Sequence, residues 1–243
     1  MRVILDQPRP GPWNMAADEV LMQNTLATGT ATLRFYQWSQ ATLSLGYFQA
    51  LQDRKSHPTS LPCPVVRRAT GGGAILHHHE LTYCLTMAVT DRVSRQLTEL
   101  YEVVHQSLIR VLRQWNLRAE LAGKSENLAQ PPPFLCFQRR SPQDVLLDGE
   151  KILGSAQKRH RGAILQHGSL LVGSSPFTPE IPGLQEISSE SIATEELLSP
   201  WKQEILACLS PSATSQPLSA DEIGHINATA NKKFANLDWT ARR

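Results

Sequence analysis

The sequence has little of three things that define large classes of protein: cysteine, surplus charge and long apolar runs. Among 243 residues there are only 4 cysteines, and the formal net charge is +2. Bulk nucleic-acid binding usually needs a much denser positive field. Three apolar residues precede Asp6, too few for a signal peptide, and no apolar run approaches the roughly 18 residues of a membrane span. We therefore expect a soluble, cytoplasmic protein that binds neither nucleic acid nor membrane.

The few cysteines stand far apart and at irregular spacings, and we see no export signal. This distribution argues against a disulfide framework and against a structural zinc site. Each cysteine is then either a small buried hydrophobe or a reactive thiol. Cys84 lies in an apolar segment typical of a strand. Cys136 instead follows the irregular, proline-stiffened segment PPPFL, where nearby cations would favour the nucleophilic thiolate.

Strand patterns dominate the first two thirds of the chain. Period-two alternation and β-branched runs predict strands at residues 32–38, 43–47, 65–68, 74–76 and 81–89. Two hairpins are predicted further on, with turns at Asp148-Gly149 and Arg161-Gly162. Because these strands cluster with hairpin-length connections, we expect an α+β fold with a mixed, mostly antiparallel sheet.

Helical spacing of apolar residues predicts the elements that pack on this sheet. The predicted helices cover residues 14–26, 94–116, 195–209 and 220–234. We expect Asn14 to cap the first helix, with Asp18 and Glu19 near its positive N-terminal end.

A glycine triplet is the first feature that points to chemistry. Gly71, Gly72 and Gly73 follow Arg67 and Arg68 between two predicted strands. Such glycines let a backbone approach a ligand closely and hold an oxyanion or phosphoryl group, although a tight turn is an equally ordinary use. The spacing matches neither the dinucleotide fingerprint nor the P-loop.

The histidines that follow the glycines also invite a metal interpretation. His77 and His79 would share one face of a strand. No third ligand stands at a diagnostic spacing, so we expect no metal, and one histidine that faces the glycine loop.

A second feature lies on the two predicted hairpins. Lys151 precedes a run of small residues that would let a ligand lie against the backbone, so its ammonium is a candidate to bind a carbonyl or phosphate oxygen. The basic turn KRHR after this run is either a solvated surface or a contact for an acidic partner protein. The residues of interest here are Lys151, Gly154, Ser155, Ala156, Gln157, His167 and Gly168.

Together these motifs resemble the biotin/lipoyl protein ligase and transferase family. The matches are RRATGGGAILH, ELTY, KILGSAQ and LQHGSLLV, with NMAADEVLM and LRFYQWSQATLSLGYFQ before them. The resemblance implies one catalytic domain of the class II synthetase-like type over residues 1–243. It also implies an enzyme that binds a medium-chain acyl group and delivers it to a lysine of a carrier domain.

Two chemistries compete within that family. Its ligases activate free lipoate with ATP, whereas its octanoyltransferases take octanoate from acyl carrier protein through a cysteine thioester. The Cys136-Phe137 pair before KILGSAQ is similar to the catalytic cysteine of the LipM-type octanoyltransferases. We therefore predict an octanoyltransferase, an acyltransferase of lipoate cofactor biosynthesis and protein lipoylation. The alternatives are an ATP-dependent lipoate–protein ligase, a lipoyl-domain amidotransferase and a non-catalytic binding relative.

The resemblance also assigns roles to residues and partners. Cys136 would attack the thioester and Lys151 would stabilise the acyl carbonyl. The donor would be octanoyl-acyl carrier protein. The acceptor would be a lipoyl-domain carrier protein, either H protein or a 2-oxoacid dehydrogenase acyltransferase subunit. No cofactor is expected, since ATP and magnesium belong only to the ligase alternative. The predicted substrate-binding residues are Arg67, Arg68, Gly71, Gly72, Gly73, His77, Gly154, Ser155, Ala156, Gln157, His167 and Gly168.

Overall fold

The computed structural model describes residues 1–89, 97–124 and 132–243. The strands of these residues are β1 (Arg2–Leu5), β2 (Thr32–Tyr36), β3 (Thr42–Leu45), β4 (Val65–Arg67), β5 (Ile75–His77), β6 (Glu80–Ala88), β7 (Ala119–Leu121), β8 (Val145–Leu147), β9 (Glu150–His160), β10 (Ala163–Leu171) and β11 (Thr214–Ser215). The helices are α1 (Gly11–Thr28), α2 (Leu97–Gln114), α3 (Leu184–Ser188), α4 (Thr194–Leu209), α5 (Ala220–Thr229) and α6 (Leu237–Thr240).

The strands form two sheets. The larger has eight strands in the order β11-β1-β2-β6-β10-β9-β8-β7, in which β1 is parallel to both of its neighbours and the remaining pairs are antiparallel. The smaller has the order β4-β3-β5, with one parallel and one antiparallel pair. The predicted mixed, mostly antiparallel sheet is confirmed.

Helices cover both faces of the large sheet, because apolar side chains point to both sides of β2. Leu33 and Phe35 enter a core that is completed by α2 and α4. Tyr36, on the opposite face, packs in a second core with α1, α5 and the π-helical turn Ala230–Phe234. Successive side chains of a strand point to opposite faces, so a single strand supplies both cores.

Both predicted hairpin turns are confirmed, and their backbone angles give the reason. Asp148 and Gly149 have φ of 49° and 84°, and Arg161 and Gly162 have φ of 48° and 95°. Two successive residues with positive φ match the twist of the strands that they join. These turns set β8, β9 and β10 side by side, which places the KILGSAQ and LQHGSLLV motifs on neighbouring strands.

The predicted start of the first helix is wrong. Helix α1 begins at Gly11, after Pro10, and Asn14 does not cap it. The Asn14 side chain is buried within the helix, where it donates to the carbonyls of Arg9 and Gln37 and accepts from Arg34. A tertiary hydrogen-bond network has therefore overridden the local preference of asparagine for the cap position.

The other helices agree with the predicted positions more closely. Helix α4 begins one residue before the prediction, and the segment predicted as 220–234 is α5 followed by the π-helical turn. Helix α2 ends two residues before the predicted end at Asn116, whose φ is 59°. Its predicted start at Ser94 lies outside the described residues.

Strands β1, β7 and β11 are not predicted by the sequence patterns.

In the described ranges, no helix combines the length and the apolar character that crossing a membrane requires. The single domain over residues 1–243 and the cytoplasmic location stay predictions.

Candidate active site

A cavity of about 270 Å³ lies between the two sheets. Strands β9 and β10 form one side, and the glycine loop that joins β4 to β5 forms another, together with the segment that follows Leu135. The predicted site residues that line this cavity are Arg68, Gly71, Gly72, Gly73, His77, Cys136, Lys151, Gly154, Ser155, Ala156, His167 and Gly168. Motifs separated by up to a hundred residues thus meet in one small volume.

The Cys136 thiol reaches the cavity because its backbone is tied to the glycine loop. The Cys136 N–H donates to the Ala74 carbonyl over 2.7 Å, and the Ala74 N–H donates to Phe134 over 2.9 Å. These bonds pair Leu135 with Ala74 in a parallel bridge just before the 3₁₀ turn Cys136–Gln138. The thiol is half-buried, whereas Cys84 is fully buried in the sheet.

Lys151 brings a positive charge to this sulfur. Its Nζ lies 3.8 Å from Cys136 Sγ and 2.7 Å from Asp144 Oδ2. It also donates to the carbonyls of Cys136 and Arg139, each over 3.3 Å. Since an ammonium has three donors and contacts of this length are weak, one of them can be exchanged for a substrate oxygen.

Asp144 and Gly154 hold Lys151 in place. Burial raises the pKa of Asp144, and the attraction of Lys151 opposes that rise. A Cβ on Gly154 would lie 2.6 Å from Lys151 Cε, so a side chain at this position would push the end of the lysine away. Asp144 is not among the residues predicted from the sequence. Counting back from the Asp148-Gly149 turn would have placed it opposite Leu153. The register of β8 and β9 shifts between Val145 and Leu146, so counting alone does not locate Asp144.

Arg68 fixes the shape of the glycine loop. Its Nη2 donates to the carbonyls of Gly71 and Gly73, both over 2.7 Å. Between them Gly72 has φ +95°, and a Cβ there would lie 4.0 Å from Cys136 Sγ. With the two carbonyls held by Arg68, the three glycine N–H groups donate to no acceptor within the described residues. All three glycines line the cavity. Burial lowers the pKa of Arg68 to about 10, a value at which it is still charged near neutral pH.

Arg67 requires a correction, because it does not line the cavity. Side chains of neighbouring residues in an extended segment point to opposite sides, and Arg67 points away from Arg68. Its guanidinium is buried, where it donates to the carbonyls of Gly46, Tyr47, Gln49 and Thr240. Arg67 therefore fastens the C-terminal segment to the loop after β3, a structural role instead of the predicted substrate-binding one.

Gln157 also lies outside the cavity. Its side-chain amide donates to Gln166 Oε1 over 2.8 Å, one strand away on β10. The prediction that Gln157 contributes to the wall of the cavity is thus corrected, since the small-residue part of the motif ends at Ala156.

His77 faces the cavity with both ring nitrogens engaged. Its Nδ1 lies 2.6 Å from Glu80 Oε1 and its Nε2 lies 2.9 Å from Ser44 Oγ, while the ring stacks on Trp38. Burial lowers the pKa of His77, although Glu80 opposes the shift. Since the carboxylate can only accept, neutral His77 donates from Nδ1 and accepts from Ser44.

The expectation that His77 and His79 share a strand face is wrong. Strand β5 ends at His77, and the rings of His78 and His79 stack on each other beyond it. In the ranges that the structure describes, no group of three or more His, Cys, Asp or Glu side chains is placed to hold a metal ion.

His167 enters the cavity from β10 and is anchored by a buried charge network. Its Nδ1 lies 2.9 Å from Asp18 Oδ2, and its Nε2 lies 2.7 Å from Thr70 Oγ1. Asp18 also accepts from Arg34 and Tyr36. Asp18 does not lie near the helix N-terminus, as the residue pattern predicts; it lies in the middle of α1 and orients a cavity histidine.

A chain of hydrogen bonds also fixes Ser155. His105 Nδ1 contacts the Gln143 carbonyl, which can only accept, so that nitrogen carries the proton. Burial lowers the pKa of His105 to about 4, so the ring is neutral and its Nε2 accepts from Ser155 Oγ at 2.7 Å. Ser155 accepts in turn from Tyr83, and Tyr83 accepts from Gln166. Because the Ser155 hydroxyl donates its one proton to His105, its oxygen can only accept a hydrogen bond from a substrate.

Gly168 is the reason that this serine fits beside β10. A Cβ on Gly168 would lie 2.1 Å from Ser155 Oγ. His105 is not among the predicted site residues, because a histidine on an amphipathic helix gives no local signal of a partner fifty residues away.

This arrangement of thiol, ammonium and open backbone amides is suited to acyl transfer, and comparisons with known proteins agree. Residues 10–187 match the lipoyl protein ligase A/B catalytic domain. The chain belongs to this family, as predicted.

Curated relatives match two thirds or more of the chain. Octanoyltransferase LipM of Brevibacillus brevis is 28% identical over 100% of this chain and 99% of its own length. Octanoyltransferase LipM of Geobacillus kaustophilus is 29% identical over 96% and 95%. That of Kyrpidia tusciae is 38% identical over 68% of this chain and 63% of its own length.

Solved structures show the same fold. The putative lipoate protein ligase Ta0514 of T. acidophilum superposes with a TM-score of 0.80 at 19% identity, over 100% of this chain and 99% of that one. A lipoate-protein ligase A bound with ATP gives 0.79 at 20% identity, over 99% and 98%. The predicted lipoyl-ligase fold is confirmed.

Proposed function

We propose that this chain is an octanoyltransferase that moves octanoate from acyl carrier protein to a lysine of a lipoyl domain, through a thioester on Cys136. The activity predicted from sequence is confirmed by relatives named octanoyltransferase LipM, whose similarity extends over nearly the whole chain. One observation carries the proposed mechanism: Cys136 Sγ lies in the cavity, 3.8 Å from the Lys151 ammonium and beside the glycine loop.

In the first step, the Cys136 thiolate attacks the carbonyl carbon of the donor thioester. A C–S bond to Cys136 forms, the C–S bond to the donor breaks, and the donor leaves as a thiol that recovers a proton from solvent. The carbonyl oxygen becomes negative in the transition state. The Lys151 ammonium and the N–H groups of Gly72 and Gly73 are the donors that would stabilise it.

In the second step, the neutral amine of the acceptor lysine attacks the acyl-enzyme. A C–N bond forms, the C–S bond to Cys136 breaks, and the nitrogen releases one proton, which restores the thiol. The same donors stabilise the second oxyanion, because the carbonyl occupies the same position in both steps. Ser155 lies on the cavity wall with a lone pair to offer, and we propose that it orients an N–H group of the substrate.

The size of the cavity supports an acyl ligand. A volume of about 270 Å³ is at the lower end of small-molecule pockets. Met15, Ile75 and Phe137 give part of its wall an apolar character suited to a medium-length acyl chain. The chemistry above needs no ATP, magnesium or other cofactor, because the donor is already activated as a thioester.

The proposal is tested by transfer to a lipoyl domain from two alternative sources. Octanoyl-acyl carrier protein without ATP should octanoylate the domain, whereas free lipoate with ATP and magnesium should modify it poorly. The Cys136→Ser and Cys136→Ala proteins should lose the first activity, and the Cys208→Ala protein, altered at an exposed thiol, should retain it. Efficient use of free lipoate by the Cys136→Ala protein would replace this proposal with the ligase alternative.

A further inference from the structure

A basic and aromatic surface borders the cavity. We call it the basic rim; it consists of Tyr47, Phe48, Lys158, Lys233, Trp239, Arg242 and Arg243. Cations and rings alternate along it: the Arg242 guanidinium lies 4.7 Å from the Tyr47 ring and 4.5 Å from the Trp239 ring. Arg243 lies 5.4 Å from the Phe48 ring.

Backbone hydrogen bonds connect the rim to the glycine loop. The Tyr47 N–H donates to the Thr70 carbonyl over 2.8 Å, and the Leu51 N–H donates to the Arg243 carbonyl over 3.0 Å. The Phe48 ring is 3.9 Å from where a Cβ on Gly71 would lie, and Gly71 lines the cavity. The rim is therefore continuous with the cavity edge and fixed in position.

The positive charges of the rim are crowded. Within the described residues, Glu19 is the acidic residue in ion-pair contact with the rim. Its Oε2 lies 2.5 Å from Lys233 Nζ and 3.9 Å from Lys158 Nζ, so the two lysines share one carboxylate. Burial lowers the pKa of Lys158; the attraction of Glu19 opposes this shift, and the repulsion from Lys233 adds to it. No Asp or Glu among the described residues lies within ion-pair distance of Arg242 or Arg243. Binding an acidic surface would relieve this repulsion.

The rim also carries an apolar anchor. Phe48 is 70% exposed, an unusual state for a ring of this size. Exposed aromatic side chains among arginines are the composition that protein interfaces favour at their centres. A net charge of only +2 for the whole chain makes this concentration of cations at the cavity edge a local feature.

We propose that the basic rim is the docking surface for an acidic face of the carrier protein that delivers the acyl thioester. The inference depends on the proposed function, since that function requires a protein donor to bring its thioester to Cys136. Phe48 packs against the carrier while the cations attract it, and the thioester enters past Gly71.

The test measures binding apart from turnover. The Cys136→Ala protein and octanoyl-acyl carrier protein form a complex that cannot react, and fluorescence anisotropy gives its Kd. In that background, Arg242→Glu with Arg243→Glu should weaken binding about tenfold or more at low salt, and by less at about 0.5 M salt. Phe48→Ala should weaken binding at both salt concentrations. The matched control is Arg113→Glu with Arg118→Glu, two exposed residues outside the cavity and rim, which should bind as the parent protein does.

Turnover then separates the docking proposal from the function. With Cys136 intact, the rim variants should raise KM for the carrier-bound donor and leave transfer from the neutral small thioester octanoyl-N-acetylcysteamine unchanged. Equal binding by rim and control variants would overturn the docking proposal, as would a rise in KM confined to the acceptor lipoyl domain. If the unmodified protein transfers from neither donor, the proposed function fails, while the Kd values still decide the docking surface.

Discussion

Replacing Lys151 with methionine separates its two roles, because the side chain keeps its length and loses its charge. The Lys151–Asp144 pair is almost completely buried, with 5% and 4% of the two residues exposed. Removing one partner of a buried ion pair typically costs about 3–5 kcal/mol. We therefore expect the free energy of unfolding of Lys151→Met, measured in urea, to fall by about that amount at neutral pH.

The stability loss should depend on pH with a definite sign. Burial already raises the pKa of Asp144, and without Lys151 the pKa rises further. A carboxyl group with a raised pKa in the folded state holds a proton that the unfolded chain releases, so stability falls as pH increases through that window. The defect of Lys151→Met should hence be smaller at pH 4.5 than at pH 7.5.

Turnover distinguishes catalysis from stability. Loss of one oxyanion donor typically lowers kcat by about 10²–10³-fold. The double variant Lys151→Met with Asp144→Asn no longer buries an unpaired carboxylate, so it should recover most of the stability and none of the turnover. If the second substitution restores octanoyl transfer together with stability, Lys151 has only a structural role and the reasoning is refuted.

Three further predictions concern the shape and the protonation of the site. Gly72→Ala should abolish transfer, because φ at Gly72 is +95° and a side chain there would enter the cavity. The control Gly29→Ala, at a position with φ +72° and open space around it, should lower only the stability. Equal losses of activity in the two variants would show that backbone strain alone is responsible. Gly154→Ala should displace the end of the Lys151 side chain and lower kcat by about tenfold or more. It should cost less stability than Lys151→Met, which removes the charge altogether; unchanged kcat would show that the lysine position is not critical. Between pH 6.5 and 4 the His105 side chain binds a proton in the unfolded chain but not in the folded protein. The free energy of unfolding should therefore fall by about 3 kcal/mol as pH decreases through this range. His105→Gln should lack this part of the pH dependence in urea titrations, and parallel pH profiles of the two proteins would contradict the prediction.

Local patterns were sufficient for the features that local forces decide. The Asp148-Gly149 turn follows from residues that tolerate positive φ, and it brings β8 alongside β9. The amphipathic pattern of α2 reports directly on which face is buried. The predicted cavity residues lie within short motifs, so the family resemblance of those motifs was enough to predict them as one site.

The roles of other residues depend on contacts between distant parts of the chain, which local sequence patterns do not show. Arg67 and Arg68 are neighbours with the same chemistry, and only the direction of β4 shows that Arg68 braces the glycine loop while Arg67 fastens the C-terminal segment. Asn14 and Asp18 have side chains that suit a helix N-terminus, but burial of Arg34 draws both into its hydrogen-bond network. No local signal records such partners, because they are brought together by the sheet.

The thioester on Cys136 is the central claim, and intact-protein mass spectrometry tests it most directly. The protein is mixed with octanoyl-acyl carrier protein in the absence of ATP, magnesium and acceptor. We expect one octanoyl adduct that hydroxylamine removes, that peptide mapping places on Cys136, and that Cys136→Ser and Cys136→Ala lack. Cys84→Ala and Cys208→Ala should keep it. An unmodified wild-type mass, in a preparation that still transfers octanoate to a lipoyl domain, would contradict the covalent mechanism.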